Sequence, residues 1–305
     1  MLELLSQPFD FVAGHLASSN KRLFWLYLIS STVLAVWLLS KSSKPSLIVK
    51  KLLSKKIWLH QSAKQDYVIW VLNGLLKATL IFPILFSAAP IAIALNKGLE
   101  QIFGSVSLNW LPEPTIAVIF TLLLFVLDDF TRFLLHWASH RFPILWRFHQ
   151  IHHSAKVLTP ITVYRIHPVE SAMYAVRLVS VQGISIGLGV YLFGHKLEVI
   201  DVFGANVFIF LFNVFGANLR HSHVWLSWGD RIENWFISPA QHQIHHSMDK
   251  DHYDKNFGSA LAIWDKLFGS LLLAGQTEQP KQFGLKTDKL NSLIQLYIRP
   301  FKPKG

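Results

Sequence analysis

The chain has no cysteine, and only 15% of its 305 residues carry a formal charge. The missing cysteine excludes disulfides, thiolate-bound zinc, iron–sulfur clusters and thiolate-ligated haem. The low charge accompanies a hydrophobic fraction of 51% and a mean hydropathy of +0.35, which are too apolar for an ordinary soluble domain. The composition therefore predicts an integral membrane protein, and 11 tryptophans suit its interfacial belts.

Several familiar catalytic signatures are also missing. There is no G-x-S-x-G nucleophile elbow, P-loop, G-x-G-x-x-G dinucleotide fingerprint or H-E-x-x-H metalloprotease motif. Acidic residues are few, since 18 of them face 29 lysines and arginines and leave a net charge of +11. The basic residues occupy short loops between apolar runs, which favours contact with anionic lipid rather than with nucleic acid.

Five apolar stretches are candidates for membrane helices, because a bilayer core needs about 20 apolar residues per helix. They are residues 23–40, 67–95, 115–135, 171–194 and 197–217. Pro83 and Pro90 interrupt the second stretch, so it is either one kinked span or a tight hairpin. We predict an all-α integral membrane protein with about four to five transmembrane helices.

A lysine-rich loop at 41–66 sets the predicted orientation, because positively charged loops stay on the cytoplasmic side. With one span at 67–95, residues 136–170 and 220–305 both reach that side. A hairpin would reverse the later spans, so a single span is favoured. This order divides the chain into N-terminal spans with the basic loop (1–114), a catalytic domain (115–275) and a basic polar tail (276–305).

Three histidine clusters dominate the chain: HWASH at 136–140, FHQIHH at 148–153 and QHQIHH at 241–246. Residues at i, i+3 and i+4 share one face of a helix, so each cluster directs two or three imidazoles towards one point. Imidazole is a common ligand of zinc, iron, copper and nickel. The clusters predict a site for two metal ions on the cytoplasmic side, with the ligands His136, His140, His149, His152, His153, His242, His245 and His246.

Two further histidines are candidates to complete the coordination. His221 follows the last predicted span in NLRHSH. His167 lies in YRIHPVE, at a helix boundary because a proline follows it. His223 and His252 rank below these two.

Acidic residues near the clusters are candidates to orient the ligand rings. Asp129 lies seven residues before His136 on the same helical face, and an acid within an apolar span is costly unless it has a role. The other interpretation is an acid paired with Arg132 at the membrane boundary. The remaining candidates to orient rings or moderate the charge of the metals are Asp128, Glu170, Asp251 and Asp265.

The order H-x3-H, H-x-x-H-H, a long gap and H-x-x-H-H resembles the fatty acid hydroxylase/sterol desaturase superfamily of membrane di-iron enzymes. The segments HRFPILWRFHQIHHS at 140–154, SPAQHQIHHSMD at 238–249 and NFGSALAIWDKLFGS at 256–270 are similar to segments of that family, although Ser270 stands where threonine is frequent. The resemblance implies two irons held mainly by the eight clustered histidines. His221 matches an additional family histidine, and His167 matches the histidine–proline step between the boxes.

The resemblance also implies an enzyme that uses O2 to hydroxylate or desaturate a lipid, two reactions that begin with the same hydrogen abstraction. A sterol, a fatty acyl chain, an ether lipid or a carotenoid would each suit it. The chain has no flavin or nicotinamide motif, no iron–sulfur ligands and no attached haem module. We therefore expect an external electron donor of the cytochrome b5, ferredoxin or rubredoxin type at the basic surface.

Two other classes of protein are weaker alternatives. A membrane metal-binding or transport protein without oxygenase activity would place its ligands near the bilayer midplane, whereas these histidines lie at the ends of spans and in the segments that follow. A bis-histidine haem protein would need only two to four axial histidines. The number of ligands and the similarity of the flanking segments favour the lipid oxygenase.

Overall fold

The computed structural model describes residues 11–76, 87–106, 108, 110–194, 197–287 and 290–302. These ranges are mostly helical, which confirms the predicted helical class. The strands β1 (Asp201–Val202) and β2 (Ala205–Asn206) pair antiparallel. The helices are α1 (11–17), α2 (Trp25–Ser40), α3 (Pro45–Leu52), α4 (Lys55–Trp58), α5 (Gln61–Leu76), α6 (Ala88–Phe103), α7 (Glu113–Arg141), α8 (Pro143–His153), α9 (Pro168–Phe193), α10 (Val207–Val214), α11 (Asp230–Glu233), α12 (Pro239–His245), α13 (Ile263–Leu267) and α14 (Leu293–Ile298).

One helix of the described ranges, α9, is long and apolar enough to cross a bilayer, judged by its length and composition. It has 26 residues and corresponds to the predicted span 171–194. The predicted span 23–40 contains α2, which is apolar but only 16 residues long. The predicted span 115–135 lies within the 29 residues of α7. The number of spans therefore stays a prediction.

The predicted span at 197–217 is not one continuous helix. Its first part is the β1–β2 hairpin, whose turn contains Phe203 and Gly204, both with positive φ. The side chain of Asn206 then accepts a hydrogen bond from the amide of Phe208 and begins α10. With eight residues, α10 is far shorter than the roughly 20 residues that a bilayer core requires.

The choice between a single span and a hairpin at 67–95 falls on residues 77–86, which lie outside the described ranges. α5 ends before this segment, at Leu76, and α6 begins after it, at Ala88. α5 buries polar side chains, among them Asn73, whose Nδ2 donates to the carbonyl oxygen of Ile166 at 2.6 Å. Contacts of this kind attach α5 to the segment that precedes α9.

α6 packs against α9 at the positions of two glycines. A Cβ atom at Gly183 would lie 2.6 Å from Cβ of Ile91, and one at Gly187 would lie 2.7 Å from the carbonyl oxygen of Ala92. The two glycines are four residues apart, in the G-x-x-x-G pattern that allows helices to approach closely. The contact holds α6 against α9, whose first turn carries Glu170.

We expect Gly187→Ala to lower the free energy of unfolding by about 1–3 kcal/mol, because the added methyl group meets backbone of α6 rather than a movable side chain. The matched control is Gly98→Ala in α6, where a Cβ meets nothing within 4 Å. That change should be neutral or stabilise by up to about 1 kcal/mol, as helix propensity predicts. Thermal unfolding of the detergent-purified variants measures both, and equal stabilities would contradict the close packing.

A buried ion pair connects α5 to the part of the chain that carries the histidines. Arg165 is 1% exposed, and its Nη1 lies 2.7 Å from Oδ1 of Asp66 on α5. Its Nε donates to the carbonyl oxygen of Ile151 and to Oγ of Ser154, both at 3.0 Å. These two residues flank the last histidine pair of α8, so Asp66 positions that pair through Arg165.

Candidate metal centre

The structure brings together nine of the ten histidines that were predicted as ligands. They form two groups, and within each group one possible ligand nitrogen per ring lies within 4.8 Å of the others. Eight of the nine are buried, and His140 is half-buried. The first group is His136, His140, His149, His153 and His245, and the second is His152, His221, His242 and His246.

Each H-x-x-H-H box contributes to both groups. At the end of α8, His149 and His153 enter the first group and His152 enters the second. In the box at the end of α12, His245 enters the first group, whereas His242 and His246 enter the second. α7 supplies its H-x3-H pair to the first group, and the 3-10 turn Ala217–His221 supplies its last residue to the second.

The two groups touch each other. The ring of His153 in the first group stacks on the ring of His246 in the second, with centroids 4.6 Å apart. His149 and His152, which belong to different groups, have ring centroids 5.7 Å apart. Two metal ions held by these groups would therefore be neighbours.

Backbone carbonyl groups orient two rings of the first group. Nδ1 of His136 lies 2.7 Å from the carbonyl oxygen of Phe257, and Nδ1 of His245 lies 2.8 Å from that of Lys255. A carbonyl oxygen only accepts hydrogen bonds, so each Nδ1 carries the proton and each Nε2 presents a lone pair. Both Nε2 atoms are buried without a hydrogen-bond partner, and a metal ion would satisfy them.

Glu170 orients a third ring of the first group. Its Oε1 lies 2.7 Å from Nδ1 of His149, and both side chains are buried. A carboxylate that holds Nδ1–H fixes the tautomer and makes the ring a stronger ligand. The sequence prediction for Glu170 as a residue that orients a ligand is consistent with this contact.

The second group converges on His221. Its Nε2 lies 3.3 Å from Nε2 of His152, 3.2 Å from that of His246 and 3.1 Å from that of His242. A neutral imidazole has only one N–H, so hydrogen bonds alone cannot satisfy four Nε2 atoms that face one another. A cation placed among the four Nε2 atoms would satisfy them all. These four nitrogen donors therefore fit a metal ion.

Burial keeps these rings in the form that binds metal. It lowers the pKa of His149 and of His152 from the ordinary 6.5 to about 3, and it lowers the pKa of His242 and of His246 well below 6.5. Neighbouring histidines lower the pKa of the last two further. The rings are therefore neutral at pH 7, as metal coordination requires.

Asp129 does not touch a ligand ring, in contrast to its predicted role. Its carboxylate accepts hydrogen bonds from the amides of Ala260 and Leu261 at 2.8 and 3.0 Å, and from Nε1 of Trp264 at 2.9 Å. Asp129 therefore attaches the C-terminal loop to α7. The spacing of Asp129 from His136 places it near the site. The groups that donate hydrogen bonds to its carboxylate belong to residues more than 130 positions later, and the spacing does not identify them.

Asp265 acts on a ligand through one intermediate residue. Its carboxylate accepts hydrogen bonds from the amides of Phe257 and Gly258, both at 2.7 Å. The carbonyl oxygen of Phe257 in turn binds His136. The hydroxyl of Ser270 donates to Asp265 at 2.6 Å, a contact that a threonine hydroxyl can also make.

Asp128 forms ion pairs rather than contacts to histidine. Its Oδ2 lies 2.7 Å from Nε of Arg132, and its Oδ1 lies 2.9 Å from Nη2 of Arg177. An acid of this span paired with Arg132 at the membrane boundary is the other interpretation of the sequence, and the acid that makes this pair is Asp128. Arg177 lies on α9, so the network also joins α7 to α9.

His167 lies outside both groups, unlike the other nine histidines that were predicted as ligands. Its Nδ1 accepts a hydrogen bond from the amide of Val169 and caps α9, while its Nε2 lies 3.1 Å from the carbonyl oxygen of Tyr297. Both ring nitrogens are thus engaged elsewhere. The weaker candidates His223 and His252 also lie outside the two groups.

We expect Glu170→Gln to weaken metal affinity by about 10- to 100-fold, because glutamine keeps the shape but removes the charged acceptor of His149. The control is Asp254→Asn, where a carboxylate oxygen lies 3.8 Å from Nδ1 of His140 and the side chain is 47% exposed. Asparagine tolerates the positive φ of 58° at this position, and the affinity should change little. Competition with a chromophoric chelator measures both constants. Equal affinities in the two variants would mean that Glu170 does not support the ligand.

Comparison with known proteins decides the family. Residues 121–270 match the family model for fatty acid hydroxylases. The chain therefore carries a domain of the fatty acid hydroxylase superfamily. The matched segment contains all nine grouped histidines, as well as the residues that orient them through Nδ1.

The names of two relatives indicate that they act on lipids. The chain is 31% identical over 180 residues to ornithine lipid hydroxylase OlsE of Rhizobium tropici, and the alignment covers 59% of this chain and 50% of the relative. It is 27% identical over 175 residues to alkylglycerol monooxygenase of Caenorhabditis elegans, which covers 56% of this chain and 30% of the relative. The chain thus spans half or less of the length of these relatives. No solved structure matches it.

A cavity of about 370 Å³ opens directly onto the histidine groups. Five grouped histidines line it, together with charged, amide and aromatic side chains from α7, α9 and α10. Ligand pockets commonly have volumes of about 300–1,000 Å³. The cavity is therefore large enough to hold a ligand beside the histidine groups, and the grouped histidines in its wall are His136, His149, His152, His221 and His242.

Some of the contributing residues carry no sequence signal. The carbonyl groups of Lys255 and Phe257 orient two ligand rings, but every residue has a carbonyl group, so only the fold identifies them. The ion pair of Asp66 and Arg165 likewise joins residues that are 99 positions apart. Arg220 precedes a predicted ligand in NLRHSH, and its basic character gave no indication that it would be buried.

Proposed function

We propose that the chain is a membrane enzyme that uses O2 and two iron ions to hydroxylate or desaturate a lipid. The observation that carries this proposal is the pair of adjacent histidine groups, in each of which the possible ligand nitrogens lie within 4.8 Å of one another. The relatives named as an ornithine lipid hydroxylase and an alkylglycerol monooxygenase support a lipid substrate. The family match supports oxygenase chemistry, because it includes every grouped histidine.

The nine histidines would hold the two irons with nitrogen donors alone. Bound iron supplies activation of O2 and cleavage of an unactivated C–H bond, chemistry for which no side chain is sufficient. The protein residues hold the metal ligands in position. The carbonyl groups of Phe257 and Lys255 fix the tautomers of two histidine rings, and the carboxylate of Glu170 fixes a third. Glu170 also brings a negative charge that offsets part of the charge of the metals.

A multi-pass topology with the metal centre on the cytoplasmic side is part of the proposal. α9, which can cross a bilayer, begins at Pro168 beside Glu170, so the centre lies near one end of that helix. The lysine-rich loop 41–66 supports the cytoplasmic assignment through the positive-inside rule. A substrate within the bilayer would then approach the centre along the apolar helices.

An external electron donor would dock at a basic groove that lies between the end of α2, α3, α4 and His223. Its lysines are Lys50, Lys51, Lys55 and Lys56. Acidic electron carriers associate with such surfaces through complementary charge. His223 is separated from His221 of the metal centre by one residue, so the groove lies close behind the second group. A carrier of the cytochrome b5, ferredoxin or rubredoxin type fits this surface.

The test combines metal content with turnover of detergent-purified protein expressed with ample iron. We expect about two irons per chain and, with a reductant and O2, a lipid that gains one oxygen atom or loses two hydrogens by mass spectrometry. The two products separate hydroxylation from desaturation. Protein without redox-active metal and without lipid product would overturn the proposal and favour metal transport or storage.

A further inference from the structure

The cavity at the histidine groups has a mainly apolar wall that also carries charged side chains. The wall includes three arginines and three acids together with Asn213 and Tyr174, in addition to grouped histidines and hydrophobic side chains such as Phe125. A pocket for the middle of a hydrocarbon chain needs no charged groups, and burying them is costly. The wall therefore indicates that a polar part of the substrate occupies this space.

Arg220 is the most deeply buried of these arginines. Its side chain is 6% exposed, and no carboxylate of the described residues lies within ion-pair distance of it. One Nη atom donates to the carbonyl oxygens of Ile237 and Ser259, the guanidinium lies 4.5 Å from the ring centroid of Phe212, and Nε has no hydrogen-bond partner. These contacts orient the guanidinium. Its charge has no ion-pair partner, and the carboxylate of Asp129 offsets only part of it from a longer distance.

Arg22 adds a second guanidinium to the same wall. Its nitrogens donate to Oδ1 of Asn213 and to the carbonyl oxygen of Ala217, which are neutral acceptors. Within the described ranges it has no ion pair either. Two guanidinium groups held by neutral partners thus face one cavity.

The three acids that line this cavity are engaged with other groups. Asp128 is paired with Arg132 and Arg177, and Asp129 accepts hydrogen bonds from two amides and an indole. Glu170 binds the ring of a ligand histidine. An unpaired buried charge is destabilising unless a ligand of opposite charge completes it, and guanidinium groups bind phosphate and carboxylate with matched geometry.

We infer that Arg22 and Arg220 bind the anionic end of the lipid substrate, a phosphate or carboxylate group, in the cavity beside the histidine groups. This inference rests on the proposed function, because it assigns the substrate class of the same centre. It also implies where the lipid is oxidised. Since the charged end and the metal ligands line one cavity of about 370 Å³, the reacting carbon lies close to the polar end rather than far along the tail.

The test compares two lipids that share an acyl chain and differ only in a phosphate: lysophosphatidic acid and the corresponding monoacylglycerol. Binding to metal-loaded protein in neutral detergent is measured by displacement of a fluorescent fatty acid analogue. We expect the phosphate-bearing lipid to bind at least about tenfold more tightly to the natural chain. Equal affinities would overturn the inference without recourse to any variant.

Substitutions then locate the preference. Arg22→Gln should reduce it to less than about threefold, and Arg22→Lys should give an intermediate value, because lysine keeps the charge but not the planar fork of the guanidinium. The control Lys286→Gln removes one positive charge from an exposed position and should leave the preference unchanged. Loss of the preference in the control but not in Arg22→Gln would assign it to surface charge and overturn the inference. Inorganic phosphate should displace neither lipid, and effective competition would mean a free-anion site instead.

The outcome is independent of the oxygenase proposal. Protein that contains iron and oxidises a neutral lipid, but shows no phosphate preference, would overturn the anionic site and leave the proposed function in place. Protein that prefers the phosphate-bearing lipid but takes up no metal would support the anionic site and overturn the proposed function.

Discussion

His153→Ala should lower turnover on the order of a thousandfold or more and reduce the iron content below two per chain. His153 belongs to the first group and stacks on His246 of the second, so its loss removes one ligand and disturbs the wall between the two groups. Iron analysis and product formation, measured on the same purified sample, test both parts.

His167→Ala is the matched control for this experiment. His167 is also a buried histidine, but it caps α9 and contacts the carbonyl group of Tyr297 rather than a histidine group. Its replacement should cost about 1 kcal/mol of stability, as expected for a lost helix cap, and should leave the iron content unchanged. Iron loss from this variant with full iron in His153→Ala would reverse the assignment of the two residues.

Asp66→Ala should lower the free energy of unfolding by about 3–5 kcal/mol. The substitution leaves the guanidinium of Arg165 buried without its carboxylate partner, which is the costly way to break an internal ion pair. The end of α8 should also lose order, because Arg165 holds Ile151 and Ser154 on either side of two ligand histidines. Metal binding should therefore weaken together with stability.

Thermal unfolding and chelator competition measure these two effects. The control is Glu278→Ala, which breaks an ion pair with Lys281 in which both side chains are more than 80% exposed. Exposed pairs contribute little, so stability and metal affinity should both stay close to those of the natural chain. A similar loss of stability in the two variants would mean that the Asp66–Arg165 pair has no special structural role.

The histidine groups were largely predictable because their spacing follows from helix geometry. Two copies of H-x-x-H-H and one H-x3-H place imidazoles on one side of a helix whatever the rest of the fold does. The spacing did not reveal that each box serves both groups, since that depends on how α8 and α12 face each other. His167 lies apart from the groups for a local reason: the proline that follows it marks the start of α9, and its ring caps that helix.

The membrane spans were less predictable than the metal centre. The stretch 197–217 has the composition of a span, but the turn at Phe203 and Gly204 and the cap at Asn206 divide it. Hydropathy averages over such a window and does not register two residues with positive φ. The roles of the acids depended on tertiary partners in the same way, as the contacts of Asp129 with Ala260 and Leu261 illustrate.

A complete ligand set for metal would exist only after synthesis of the C-terminal part of the fatty acid hydroxylase domain. The carbonyl group that orients His136 belongs to Phe257, 121 residues later, and an amide that binds the carboxylate of Asp129 lies 131 residues later. At about 5–20 residues per second, a ribosome needs on the order of ten seconds to cover that interval. During this time α7 and α8 have emerged, but four of the nine grouped histidines are still to be made. Metal captured by the nascent chain would therefore be held by an incomplete set, and only the finished chain would offer the full site.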